Sequence, residues 1–450
     1  MASAAWVGPD NAVLLTDLYQ LTMMQAYWRE GMTDRAVFSL FVRRLPPTRN
    51  VLIACGLADV LAYLETVRFD ADSLDYLDSL GLFGRDFLDW LAAFRFTGEV
   101  HAVPEGTPIF ATEPILEVEA PLPEAQFVET FIMNQIHLQT LLASKALRVV
   151  EAAEGRRVVD FGLRRMQGAD AGLKSARAFY IAGVHATSNV LAGRLYGLPV
   201  TGTMAHSYVQ AHRDERSAFL AFLRQYPDSV LLLDTYDTLA AVEEVIDLAR
   251  ELGPAFRLRG VRIDSGDLGE LARIVRRRLD EAGLSQLQIL VSGSLDEFAI
   301  RDLVRGGAPI DGFGVGTRMG VSADAPALDL VYKLAAYAGR GRIKTSPGKV
   351  TLPGRKQIFR QEEDGRAVRD VLALADETLP GRPLLRPVMR AGRRLPPAEE
   401  PLEAMRARAR EELARLPDAV RSLDPADPPY PVELSARLRA EWEALLETVS

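Results

Sequence analysis

The stretch Leu258-Arg259-Gly260-Val261-Arg262-Ile263-Asp264-Ser265-Gly266-Asp267 decides how the middle of this chain is read. Its first half is a short, largely apolar strand, and its second half turns polar at once around a glycine. An apolar strand that empties directly into a polar loop is buried on both faces, as strands of a parallel sheet are. Five other segments repeat the type without repeating the residues. Val158 to Phe161 runs into Gly162-Leu163-Arg164-Arg165, and Leu198 to Thr201 into Gly202-Thr203-Met204-Ala205-His206-Ser207. Val230 to Leu233 leads into Asp234-Thr235-Tyr236-Asp237, Leu287 to Val291 into Ser292-Gly293-Ser294, and Ile310 to Phe313 into Gly314-Val315-Gly316-Thr317. Amphipathic helical stretches such as Leu239 to Leu252 and Leu268 to Ala282 lie between them. Polar residues gathered at the C-terminal end of every strand are what the rim of a (β/α) barrel requires. A doubly wound open sheet is the alternative, although it concentrates its motifs at one switch point.

Outward from this repeat the texture changes. Upstream, Leu14 to Gly31 is expected to be a helix capped by Thr16 or Asp17, and Arg35 to Val42 alternates as a strand does. Leu52 to Val67 and Ala71 to Phe94 have helical spacing. Gly98 to Ala120, broken by Pro104, Gly106, Pro108 and Pro114, suits a small β module, and a long helix is expected over Glu124 to Glu154. Downstream, Lys344 to Leu374 carries turn signals at Pro347-Gly348, Pro353-Gly354 and Asp364-Gly365 between strand-like runs. Leu379 to Pro401 reads as an extended connector whose arginines, Arg382, Arg386, Arg390, Arg393 and Arg394, face solvent. Pro401 to Leu416 and Val432 to Val449 are expected to be helices, separated by a Pro/Asp-rich link.

Composition narrows the classes. A chain of 450 residues with 48% hydrophobic and 25% charged residues can bury a sizeable core in two or three domains. A formal net charge of −8 counts against a nucleic-acid binder. One cysteine, Cys55, rules out an intrachain disulfide and any cysteine-rich zinc site. Met1 to Asn11 has neither the basic nor the apolar region of a signal peptide, and no apolar run reaches membrane-spanning length. A cytoplasmic setting is expected.

The strand ends carry the chemistry. His206 is one of five histidines and stands between hydroxyls in a glycine-containing loop, which suits a reactive group; a histidine that merely hydrogen-bonds its own loop is the bland alternative. Ser292-Gly293-Ser294 and Gly314-Val315-Gly316-Thr317 offer backbone N–H groups with little side chain in the way, as the late loops of a barrel do for phosphate. A simple tight turn is the alternative for either loop. Arg164, Arg165 and Arg262 suit carboxylates and phosphates. Asp234, Asp237, Asp264 and Asp267 offer hard oxygens for Mg²⁺ or sugar hydroxyls, and Asp267-Leu268-Gly269-Glu270 also reads as a helix cap. The whole inventory fits a phosphorylated sugar bearing a diphosphate, together with a carboxylated partner.

From Leu14 to about Phe359 the sequence resembles the nicotinate phosphoribosyltransferases. The resemblance is carried by Leu15-Thr16-Asp17-Leu18-Tyr19-Gln20, Phe161-Gly162-Leu163-Arg164-Arg165, Thr187-Ser188-Asn189, the Gly202 to Ser207 motif, Asp234 to Asp237, Val261 to Asp267 and Gly314 to Thr317, in that order. It implies an irregular α/β barrel over about 136–335, joined to an α+β domain of residues 1–135 that takes strands from 336–450. It also implies a homodimer and a transfer from 5-phosphoribosyl 1-diphosphate to nicotinate, coupled to ATP through a phosphorylated histidine, with Mg²⁺. By position, His206 matches the phosphorylated residue. Tyr19 would stack on nicotinate, and Thr203, Arg262 and Arg164 would line its pocket. Ser292, Gly293, Gly314, Gly316 and Thr317 would hold the 5-phosphate, and Arg165 would face the anionic groups. Asp264 would bind ribose hydroxyls, and Asp234 would orient the His206 ring. The metal ligands are left open. Nicotinamide and quinolinate phosphoribosyltransferases are the rival enzymes. A barrel that binds phosphate without catalysis is the rival from another class.

Overall fold

The computed structural model describes residues 7–346, 349 and 351–449. The turn signal Pro347-Gly348 and residues 1–6 of the Met1 to Asn11 stretch lie outside them. The chain forms two compact units, Met1–Leu141 with Ala327–Ser450, and Leu142–Pro326. Among the described residues no helix is long and apolar enough to cross a membrane.

The unit built from both chain ends is organised by a seven-stranded antiparallel sheet. Its order is Arg340–Gly341, Leu330–Tyr337, Arg35–Val42, Pro114–Pro121, Glu99–Ala102, Arg386–Arg390, Arg393–Arg394. Arg35–Val42 sits inside the sheet, with Phe38 opposite both Val118 and Leu334 and stacked on Tyr332 at 4.8 Å between ring centres. The strand expected here is present, and it is buried on both faces from Ala36 onward. Its polar member explains how: Ser39 donates to Glu117 at 2.7 Å, and the Lys356 amine meets the same carboxylate at 3.0 Å, so the second face is covered and satisfied.

Downstream, the turn expected at Asp364-Gly365 is present and other expectations change. Lys356–Glu363 and Arg366–Leu374 form a hairpin whose turn, Asp364-Gly365, has both φ angles positive, as the twist of a two-residue connection demands. The connector Leu379 to Pro401 is built into the unit. Leu384, Leu385, Val388 and Met389 are buried, Arg382 pairs with Glu412 at 2.6 Å, and Arg394 meets Glu65 at 3.3 Å. Val432–Leu434 is a strand pairing in parallel with Asp370 to Leu372, and the helix begins only at Ala436. Upstream, Leu52–Ile53 is likewise a short strand before the helix Leu57–Thr66.

The other unit carries a six-stranded parallel sheet ordered Ala186–Thr187, Arg157–Asp160, Gly312–Val315, Gln288–Ser292, Gly260–Ile263, Val230–Leu232. Four consecutive strands lie side by side, and the last of them pairs with the first strand of the unit, Arg157–Asp160. That return is barrel closure, which a doubly wound sheet lacks. The barrel stays open between Ala186–Thr187 and Val230–Leu232, so it is an irregular, partial one. Five of the six expected strands are present. Leu198 to Thr201 contributes only a parallel bridge between Thr187 and Val200, and Ala186–Thr187 occupies the edge instead. Pro199 cannot donate to a ladder, so this segment uses the Pro199 carbonyl and the Thr201 N–H, both to Thr187, and stops there.

Candidate active site

The strand ends of the barrel unit surround a cleft of about 650 Å³. Of the expected site residues, Arg164, Arg165, Thr203, His206, Arg262, Asp264, Ser292, Gly293, Gly314, Gly316 and Thr317 all line it. Phe161, Ser188, Met204, Ser294 and Leu295 line it as well and had not been assigned roles. Asp234 is absent from the lining. Tyr19 belongs to the other unit, half exposed on the helix Leu18–Arg29; its hydroxyl is pushed up to about 12 by burial and by the Glu129 and Asp17 carboxylates.

Arg262 is the hub. It leaves the strand Gly260–Ile263 and donates from Nε to Thr203 Oγ1 at 3.0 Å, and from Nη2 to the Met204 carbonyl at 2.9 Å. From Nη1 it donates to Asp264 Oδ1 and Ser292 Oγ, each at 2.8 Å. The Ser292 hydroxyl also donates to Asp264 Oδ1, closing a ring across two neighbouring strands. Burial pulls the guanidinium below its usual range, against the opposing pull of Asp264 and Asp234. Only one Nη2 hydrogen remains, so Arg262 cannot clamp a carboxylate with a free fork. Arg164 and Arg165 differ: both are exposed on the short turn Leu163–Arg165, and neither has a carboxylate partner among the described residues.

The loop carrying them is fixed from below. Asp160, buried at the end of its strand, accepts from the Gly162 N–H at 2.8 Å and from Thr187 Oγ1 at 2.7 Å. Burial raises its carboxyl pKa, and these two bonds pull the other way. Thr187 in turn accepts from the Asn189 N–H at 3.1 Å, tying the Thr187 to Asn189 motif to the same carboxylate.

The glycines separate into two kinds. A Cβ on Gly293, whose φ is +94°, would lie 1.9 Å from the Asp264 carbonyl oxygen, and one on Gly314 would lie 2.6 Å from the Phe161 ring. Packing alone demands both. Gly316 would meet nothing closer than 3.4 Å, and Gly202 nothing within 4 Å, so no protein contact explains the missing side chain at either position. Asp237 and Asp267 act as helix caps: the first accepts from the Leu239 and Ala240 N–H groups and the second from that of Glu270.

His206 opens the short helix His206–Gln210 and is half-buried. Its Nδ1 lies 3.2 Å from Thr235 Oγ1, and its Nε2 lies 3.9 Å from Asp264 Oδ2. The expected Asp234–His206 contact is replaced by these two. The Asp234 carboxylate turns instead to the Asp264 N–H at 3.2 Å and the Ser265 hydroxyl, and its Oδ1 is buried without a hydrogen-bond partner.

A partial α/β barrel whose rim gathers two unpaired arginines, open glycines, hydroxyls and a half-buried histidine defines a class of enzyme that handles phosphorylated substrates. Comparison with known proteins narrows the class. Residues 14–137, 156–344 and 379–440 match the nicotinate phosphoribosyltransferase (NAPRTase) N-terminal domain, family and C-terminal domain. The chain is 55% identical to a nicotinate phosphoribosyltransferase of Mycobacterium tuberculosis over 96% of its own length and 93% of that protein's. It is 42% identical to that of Bacillus subtilis over 84% and 79%. The crystal structure of human nicotinic acid phosphoribosyltransferase superposes with a TM-score of 0.85 at 31% identity, covering 96% of this chain and 99% of that one. The chain belongs to the nicotinate phosphoribosyltransferase family. The C-terminal match extends the likeness past Phe359, where the sequence motifs end.

Proposed function

We propose that this protein transfers the phosphoribosyl group of 5-phosphoribosyl 1-diphosphate to nicotinate, giving nicotinate mononucleotide and diphosphate for NAD synthesis, and that ATP assists by phosphorylating His206. The observation that carries the reading is the convergence of Arg164, Arg165, Arg262, Asp264, His206 and the open glycines on one cleft. The pyridine nitrogen of nicotinate already holds the lone pair that attacks the anomeric carbon, so no base has to create the nucleophile. The bond from that carbon to the diphosphate oxygen breaks through an oxocarbenium-like state, and the protein's task is to orient the partners and stabilise departing negative charge. Arg164 and Arg165, with free guanidinium forks, take the nicotinate carboxylate and the diphosphate. Thr203 and the last N–H of Arg262 complete the nicotinate pocket, Asp264 holds ribose hydroxyls, and Thr317 with the open backbone at Gly316 receives the 5-phosphate. Tyr19 supplies a stacking ring.

Mg²⁺ would arrive with the diphosphate, since this ion keeps waters and substrate oxygens and takes only one or two carboxylates. Asp264, which lines the cleft, is the carboxylate suited to it. The ion would neutralise charge on the leaving diphosphate. A homodimer is supported by the exposed apolar side chains Val190, Leu191, Leu195 and Val200, which are 72%, 54%, 56% and 50% exposed at the open edge of the barrel. A cytoplasmic setting, with its ATP pool, suits the same reading.

The test is product formation from phosphoribosyl diphosphate and Mg²⁺, with nicotinate or nicotinamide, with and without ATP. Nicotinate mononucleotide formed faster with ATP is the expected outcome, and His206→Asn removes the ATP effect. Preference for nicotinamide, or no nucleotide from either base, would overturn it.

A further inference from the structure

We propose that Asp160 is the positioning residue of the turn that carries Arg164 and Arg165. Its carboxylate holds the Gly162 N–H and the Thr187 hydroxyl together, and so sets where the two guanidinium groups meet the anionic ends of the substrates. Asp160 is not among the residues lining the cleft, so it acts only through its neighbours. The proposal rests on the reading that these arginines take the nicotinate carboxylate and the diphosphate, and it adds what fixes them there.

A carboxylate is an expensive choice at this position. Asp160 ends the strand Arg157–Asp160 and is as buried as Val158 before it, and an apolar side chain there would need no partner. No cation pairs with it among the described residues. Its oxygens are taken instead by donors from two separate segments: Oδ1 by the Gly162 N–H at 2.8 Å, and Oδ2 by Thr187 Oγ1 at 2.7 Å. Gly162 opens the turn Leu163–Arg165, and Thr187 ends the edge strand Ala186–Thr187 just before Ser188, which lines the cleft. The Ser188 N–H donates to the Asp160 carbonyl at 2.9 Å, so the same residue clips that segment through its main chain as well.

The anchor matters because the arginines have little else to hold them. Both side chains are exposed, and the one bond shown for either is a long one, from Arg164 Nη1 to the Phe161 carbonyl at 3.5 Å. Their place is therefore set by the backbone beneath them. That backbone is seated against the phosphate loop: the Phe161 N–H donates to the Val315 carbonyl at 2.8 Å, and a Cβ on Gly162 would lie 3.2 Å from the Gly316 carbonyl oxygen. The Asp160 bond to Gly162 is the next point along the chain, one residue before the turn begins. A fork-to-fork grip on a carboxylate or phosphate needs its donors held to within about 0.5 Å, a precision that long exposed side chains gain only from a fixed base. The Thr187 hydroxyl keeps the carboxylate itself from rotating away.

The experiment uses the full chain and compares Asp160→Ala with Asp160→Asn, whose amide still offers an acceptor to Gly162 and a donor to the Thr187 oxygen. Kinetics of nicotinate mononucleotide formation are read beside those with nicotinamide, which lacks the carboxylate. Asp160→Ala should raise the KM for nicotinate about tenfold, with a smaller effect on kcat, and should lower the preference for nicotinate over nicotinamide by a similar factor. Asp160→Asn should stay within about threefold of the wild type on both measures. A role in stability alone would lower the melting temperature and the active fraction, yet leave KM and the choice between the two bases as they were. If Asp160→Ala does not fold, Thr187→Val against Thr187→Ser makes the same comparison, with the serine recovering what the valine loses. Unchanged KM and base preference in the variant that lacks the bond, or no recovery in its conservative counterpart, would overturn the proposal. A wild type that makes no nucleotide overturns the proposed function instead. Calorimetric titration with inorganic diphosphate then decides the anchor: binding weakened about tenfold by loss of the bond and kept by the conservative variant supports it. Equal binding in all of these proteins, or none in any, overturns it.

Discussion

A single methyl group at Gly293 should be enough to damage the site. The alanine Cβ would sit 1.9 Å from the Asp264 carbonyl oxygen and 3.0 Å from its carbon, on a backbone whose φ is +94°. Relieving the contact requires the two loops to part by roughly 1 Å, since protein interiors have no slack of that size. The left-handed conformation adds about 1 kcal/mol for any residue with a Cβ. Asp264 cannot simply retreat. Its N–H is bonded to Asp234 at 3.2 Å and its carboxylate to Arg262 at 2.8 Å, so a shift drags the hub that also holds Thr203 and Ser292. A displacement of about 1 Å among positioning groups typically costs about 100-fold in rate, equivalent to about 2.7 kcal/mol of transition-state stabilisation. The expected result for Gly293→Ala is a fall of that order in kcat/KM for nicotinate mononucleotide formation, read by chromatography. Calorimetry should show a melting temperature lower by about 5 °C. Gly202→Ala, whose Cβ meets nothing within 4 Å, is the folding control and should melt like the wild type. If Gly293→Ala keeps wild-type kcat/KM, the Asp264 loop does not set the geometry of the reaction and the reasoning fails.

The remaining predictions concern stability. Glu215 is pushed up from about 4.5 to about 7, first by burial and then by the carboxylates of Glu244, Asp237 and Asp234, and its Oε1 has no hydrogen-bond partner. The native state therefore holds this proton more tightly than the unfolded chain. The associated stability is present below about pH 4.5 and is lost as pH rises through about 7, amounting to about 1 kcal/mol once solvent screening is allowed for. Urea melts at pH 5 and pH 8 should show that loss in the wild type and a smaller one in Glu215→Gln; identical pH dependences would refute the assignment. Lys145 is buried between Glu297 Oε2 at 2.5 Å and Asp324 Oδ1 at 2.8 Å. Glu297 begins the helix after the Ser292 loop, and Asp324 follows the turn after Thr317, so the amine ties the two anion loops together. Lys145→Met should cost about 3 kcal/mol by removing the buried cation between two carboxylates, while Arg148 still meets Glu297 at 3.0 Å. A denaturation midpoint equal to the wild type's would show that the pair carries no such weight.

The barrel was legible because burial on both faces writes itself into sequence as an apolar run that ends abruptly. Val158 to Phe161, Val230 to Leu233, Leu258 to Ile263, Leu287 to Val291 and Ile310 to Phe313 all gave that signal, and all correspond to strands. The short strands Ala186–Thr187 and Val432–Leu434 give none. Ala186–Thr187 has too few residues to alternate or to run, and Val432–Leu434 merges with the helix that follows it. In both, the chain is extended because a neighbouring strand offers a ladder, and that neighbour is distant in sequence. Arg386, Arg390 and Arg393 are exposed as expected, but Arg382 and Arg394 misled for the same reason: their partners, Glu412 and Glu65, lie far along the chain.

Within the site, residue type predicted who lines the cleft better than what each residue does there. Asp234 and Thr235 leave the same strand end one after the other, and side chains of successive extended residues point to opposite sides. Either could have met His206; the carboxylate is the more familiar partner, yet the hydroxyl is the one within reach. Arg262 shows the same limit. Its charge suggests a clamp for a substrate carboxylate, but a guanidinium offers only five N–H donors, and four are engaged by Thr203, Met204, Asp264 and Ser292. What an arginine can bind depends on the donors its neighbours leave free. By that criterion the exposed pair Arg164 and Arg165, rather than the central Arg262, is where an incoming anion finds an open fork.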